Sequence, residues 1–235
     1  MRRVVDRFGA NPRVVAMTIT NEVNLPFSPN TSDGSYARAR DALISGIESG
    51  QREAVRRHFA QPRFGFTFAY RFAPAQDAAF FTYLRAHGGG EFRRALSFVG
   101  LDFYPGSIYP PVLLPGDSYS AELAQALGVM RDCFGPLGGI SRSVPLWITE
   151  NGVPGRAPSE AAQASALDQL VHAAAAYARV DNVTDYRWFN LRDSVTSRPP
   201  TSVSSTFATV GLLRPDYTRK PAFAVYRRLI ATMGR

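Results

Sequence analysis

The strongest constraint on this chain is an alternation repeated five times. Short runs rich in β-branched and aromatic residues, 13–20 (RVVAMTIT), 63–70 (RFGFTFAY), 97–104 (SFVGLDFY), 144–149 (VPLWIT) and 184–191 (TDYRWFNL), are separated by stretches of helical spacing at 36–58, 77–96, 121–133 and 159–179. A last such stretch, 221–233, closes the chain, and 77–96 is interrupted by three glycines at 88–90. Most of the runs are too continuously apolar for a strand with one wet face and suit strands covered on both sides. Strand then helix, five times over, predicts a parallel α/β fold with right-handed crossovers. The Pro-rich pieces 104–117 and 194–209 follow strands and read as long βα loops. With 235 residues, 45% of them apolar, and no dividing linker, the chain reads as a single domain over residues 1–235.

Several function classes find no support. The formal charge of +8 is carried almost wholly by arginine, Lys220 being the only lysine. The arginines are scattered and alternate with Asp or Glu along helical stretches, which predicts a solvated surface and no nucleic-acid site. No apolar stretch approaches the roughly 18 to 20 residues of a membrane span, and the opening MRRVVDRFGANP lacks the apolar segment of a signal peptide, so no membrane partner is expected. Localisation and oligomeric state stay open. Cys133 stands alone and reads as a small buried apolar residue. His58, His87 and His172 fall in helical stretches and read as surface or packing residues. No metal-ligand spacing, nucleotide-binding glycine motif or nucleophile elbow occurs, so neither metal nor cofactor is expected.

Two short segments carry chemistry. TNEVNL (20–25) and TENGVP (149–154) each set a Glu beside an Asn where an apolar run ends. In a β/α architecture the carboxyl ends of parallel strands gather on one rim, and active sites are built there. Glu22 and Glu150, far apart in sequence, are thereby candidates for a pair of carboxyls. Such a pair cleaves a glycosidic bond, at about 5 to 5.5 Å apart in retaining enzymes and roughly 6.5 to 9.5 Å in inverting ones.

The stretches RFGANPRVVAMTITNEVNL, FVGLDFYPG, PLWITENG, DYRWFNLRDS and GLLRPDYTRKPAFAVYRRLI resemble the second half of a (β/α)8 (TIM-type) barrel retaining glycoside hydrolase of clan A, with cellulase-like and xylosidase-like members as the nearest echoes. The resemblance implies an incomplete barrel covering roughly strands four to eight with their helices. It implies a retaining β-glycosidase acting by double displacement on a β-linked oligosaccharide or glycoside, without cofactor or metal. Residue by residue, Glu22 matches the general acid/base and Glu150 the nucleophile. Asn21 matches the amide that holds the sugar's 2-hydroxyl, Tyr104 the tyrosine bonded to the nucleophile, and Trp188 the aromatic floor beneath the sugar. Arg192 and Asp193 resemble the pair after the last strand, read here as an internal ion pair that fixes its loop.

Bland readings stand beside these. Glu22 could cap a helix, Glu150 could be a turn acid, Asn21 a turn residue, Tyr104 a loop filler before Pro105, and Trp188 a packed core residue. The sequence before Glu22 leaves no room for strands one to three of the barrel, and MRRVVDRFGANP reads as the end of a helix preceding strand four. The alternative to an enzyme is an inactive, truncated remnant or a carbohydrate-binding protein.

Overall fold

A computed structural model of the chain describes residues 1–26, 31–60, 62–71, 74–156, 159–194 and 207–234. Five strands, β1 (Ala16–Thr18), β2 (Arg63–Ala69), β3 (Phe98–Phe103), β4 (Leu146–Asn151) and β5 (Val183–Tyr186), lie side by side in the order of the sequence. Helices alternate with them. They are α1 (Arg2–Phe8), α2 (Ala39–Arg56), α3 (Pro74–Ala95), α4 (Tyr119–Val129), the short α5 (Gly135–Gly138), α6 (Glu160–Tyr177) and α7 (Pro221–Met233). The chain forms two compact units, Met1–Asp102 with Leu127–Trp147, and Phe103–Ala126 with Ile148–Arg235.

In the first unit β1 pairs in parallel with β2, and β2 with β3 in the register Gly65↔Phe98, Thr67↔Gly100 and Ala69↔Asp102. Every residue of β3, and all of β2 after Arg63, is buried, the pattern of strands covered on both faces. The Phe side chains at 64, 66 and 68 are fully buried. Phe68 meets Phe81 edge-on at 4.9 Å between ring centroids, and Phe81 stacks on Phe134 at 5.0 Å. Phe98 stacks on Trp147 at 3.8 Å. α2 buries a stripe of Leu43, Ile44, Ile47 and Ala54, the helical repeat that turns one face to the core.

In the second unit the end of β4 runs beside β5, with Arg187 N–H donated to Ile148 O at 2.8 Å and Phe189 N–H to Asn151 O at 2.7 Å. Ser159 caps α6 by accepting from Ala162 N–H at 3.1 Å, which satisfies one of the free donors of the first turn. Pro221 opens α7, where its fixed φ and missing N–H carry no penalty.

The structure adjusts the sequence-based boundaries. β1 is shorter than the run 13–20 because Asn11 O accepts from Val14 N–H, turning the chain before the strand; past its far end Thr20 and Glu22 take left-handed φ of 66° and 44°. β4 continues through Glu150 to Asn151. β5 stops at Tyr186, so the alternation expected through residue 191 ends before Trp188. Cys133 is exposed, contrary to the buried reading. It lies in a five-residue π turn, Met130–Phe134, that turns Met130, Arg131 and Phe134 inward. Asp193 does form an internal ion pair, but with Lys220 at 2.7 Å, while Arg192 lies over the Tyr217 ring at 4.7 Å. Most of the expected loop 194–209 lies outside the described residues. The three histidines are exposed.

Candidate active site

In the first unit the site begins where β1 gives out. Asn21 and Glu22 follow the strand on a backbone with two left-handed residues that are not glycine, a costly conformation that persists only where neighbours hold it. The neighbours here are in β2. Thr67 Oγ1 accepts from Glu22 N–H at 3.0 Å and donates to Asn21 Oδ1 at 3.1 Å. Two residues on, the Asn24 amide imitates a strand partner, donating to Ala69 O at 2.8 Å and accepting from Ala69 N–H at 3.0 Å. It also donates to Asp77 Oδ1 at 2.9 Å. Burial pushes the Asp77 carboxyl up to about 6, against the opposing hydrogen bonds from Asn24 and from Arg71 N–H.

The Glu22 side chain is 7% exposed and accepts from the Ser32 hydroxyl at 2.7 Å. One of its oxygens comes within 4.8 Å of a carboxylate oxygen of Asp102, which is fully buried at the end of β3. Asn21 donates one amide N–H to Thr31 O at 2.7 Å.

In the second unit Glu150 is the next-to-last residue of β4 and half-buried. Tyr104, just past β3, donates its hydroxyl to Glu150 Oε2 at 2.6 Å. Burial raises the Glu150 carboxyl above its ordinary range, and the Tyr104 hydrogen bond pulls it back. The tyrosine ring is held edge-on by Phe207 at 4.8 Å and Phe189 at 6.3 Å. Asn151, fully buried, donates to Phe103 O at 2.5 Å and accepts from the Tyr186 hydroxyl at 2.6 Å, which locks the strand end carrying Glu150. A glycine must follow: a Cβ on Gly152 would come within 2.6 Å of Phe189 O. Trp188 is 8% exposed and donates its indole N–H to Val210 O at 2.8 Å.

Of the residues singled out in the sequence, Asn21 and Glu22 stand together in the first unit, and Tyr104 and Glu150 are bonded in the second. Trp188 is bonded to Val210 O. Ser32, Thr67, Asn24 and Asp102 escaped the sequence reading. Only Asn24, two residues past Glu22, carried a local signal, a second amide in the same short segment.

No protein-family model matches the chain, and neither does any curated protein. Solved structures do. The chain is similar to GH5_18 from Streptomyces cattleya in complex with Manb1-4GlcNAc, with TM-score 0.65 and 16% identity over 98% of this chain and 51% of that one. It is similar to the Penicillium canescens endo-1,4-beta-xylanase, with TM-score 0.57 and 16% identity over 100% of this chain and 64% of that one. A plant beta-glucan endohydrolase matches with TM-score 0.59 and 14% identity over 93% and 76%. The chain spans about half the length of the first of these. At such identities the likeness concerns the fold, and the fold is that of a TIM-type barrel, represented here by five of its strands.

Proposed function

We infer that the chain acts as a retaining β-glycosidase, with Glu150 as nucleophile and Glu22 as acid/base. The observation that carries this reading is Glu150 at the end of β4, part-buried and aimed by a tyrosine hydroxyl at 2.6 Å. A donor in that position stabilises the carboxylate and fixes one oxygen, so the other is presented as nucleophile. The fold likeness to structures named for xylanase and beta-glucan endohydrolase supports a β-linked glycoside or oligosaccharide as substrate.

In the first step a Glu150 oxygen bonds to the anomeric carbon while the bond to the leaving oxygen breaks, and Glu22 gives that oxygen its proton. In the second, water attacks the same carbon, the glycosyl ester breaks, and Glu22 takes the proton from water, so both carboxyls end as they began. The reading requires the two carboxyls to work about 5 to 5.5 Å apart. Asn21, through its remaining amide N–H, holds the sugar's 2-hydroxyl, and Trp188 forms the floor beneath the ring.

The test is hydrolysis of aryl β-glycosides by the purified chain and by Glu150→Gln, with trapping by a 2-deoxy-2-fluoro glycoside. Turnover that falls on the order of a thousandfold or more in the variant, with the label on the peptide bearing Glu150, supports the reading. Turnover indifferent to Glu150→Gln overturns it. Sugar-dependent tryptophan quenching with no turnover by the wild type overturns it too, in favour of a carbohydrate-binding protein.

A further inference from the structure

Ser32 occupies the capping position of the 3-10 turn Asp33–Ser35 with extended φ and ψ of −135° and 143°, yet its hydroxyl makes no capping bond. A serine there ordinarily spends its oxygen on the backbone of the turn. Here the hydroxyl goes to Glu22 Oε2 at 2.7 Å, with both residues buried.

The segment that carries Ser32 is tied to the strand end that carries Glu22. Asn21 N–H donates to Asp33 Oδ2 at 2.7 Å, and Asp33 N–H to Asn21 O at 2.8 Å. The Asn21 amide donates to Thr31 O, and Thr31 Oγ1 lies 3.4 Å from Ser32 Oγ. Each residue flanking Ser32 is therefore bonded to the residue preceding Glu22. Among the described residues of this unit, a carboxylate oxygen of Asp102 lies within 4.8 Å of one of Glu22's.

We propose that Ser32 is a positioning residue for the acid/base carboxyl: its hydroxyl holds Glu22 Oε2 and thereby sets the orientation in which the group exchanges its proton. This rests on reading Glu22 as the acid/base. A hydroxyl suits the task because it donates to a carboxylate and, rotated, accepts from a carboxylic acid, so it serves Glu22 before and after proton transfer. An amide or ammonium cannot do both with the same atom.

The experiment compares the full chain with Ser32→Ala and Ser32→Thr. In Ser32→Ala, kcat/KM falls about tenfold for phenyl glycosides, whose leaving group needs a proton, and less than twofold for dinitrophenyl glycosides, whose leaving group does not. Ser32→Thr restores most of the loss. Independently of activity, the Glu22 carboxyl carbon, assigned with Glu22→Gln, is titrated by NMR. Loss of one donor to the charged form moves its titration about one pH unit higher in Ser32→Ala. An unmoved titration, or equal losses on both substrates, overturns the proposal. If the wild type cleaves no glycoside, the glycosidase reading fails while the titration still decides whether Ser32 governs Glu22.

Discussion

At the scale of single residues, the opposing influences on Glu150 give a prediction with a definite sign. Burial raises its pKa and the Tyr104 hydroxyl lowers it. Tyr104→Phe removes only the second, so the carboxyl moves further up and fewer molecules hold the proposed nucleophile ionised at a given pH. The acid limb of the pH profile of kcat/KM moves about one pH unit higher, with the loss greatest below neutral pH and smallest above it. A uniform loss at all pH values assigns the tyrosine to packing. What sequence could show at this scale was uneven. Glu150 and Tyr104 were visible because each closes an apolar run. Thr67 and Asp102 were not, because a threonine and an aspartate inside strand sequences carry no local mark of what they face. Thr67 meets Asn21 only because β1 and β2 pair in the register that sets Thr18 against Gly65.

At the scale of elements, α3 contains the clearest test of backbone geometry. The glycine run at 88–90, expected to break the helix, does so at one residue: Gly89 has φ 62° and ψ −164°. That conformation belongs almost exclusively to glycine. No atom lies within 4 Å of the Cβ that alanine would add, so Gly89→Ala tests strain without collision. The expected cost is on the order of 1 to 3 kcal/mol, read as a lower urea midpoint with unchanged slope; Gly90→Ala, whose nearest neighbour is the flexible end of Arg94 at 3.1 Å, serves as control with little change. The number, order and kind of elements were legible because strand and helix repeats differ and both recur through the chain. Their ends were less so. The stops of β1 and β5 are set by left-handed residues and by turn hydrogen bonds, which periodicity does not encode.

At the scale of whole tertiary structure, the second unit depends on a bond across 27 residues. Lys220, before α7, is buried with Asp193 and also donates to Thr209 O at 2.9 Å. Asp193 Oδ1 further accepts from Gly211 N–H at 2.8 Å. Removing one ion strands the other in a dry site, so Lys220→Met is expected to cost about 3 to 5 kcal/mol, measured by equilibrium unfolding in urea. The double variant with Asp193→Asn recovers part of that loss, because no uncompensated charge remains. A double variant no more stable than the single one assigns the loss to packing of the lysine stem.

The sequence by itself determined the fold class, the order of its strands and helices, and the strands beside which Glu22 and Glu150 fall, because hydrophobic periodicity and chain order are local properties that every strand and helix must obey. The resemblance already paired Tyr104 with Glu150, and only the tertiary structure decided that Ser32 bonds Glu22 and that Lys220 rather than Arg192 pairs with Asp193. Hydrogen bonds and ion pairs depend on distances of a few ångströms between residues dozens of positions apart, and those distances exist only once strand register and turn geometry are fixed.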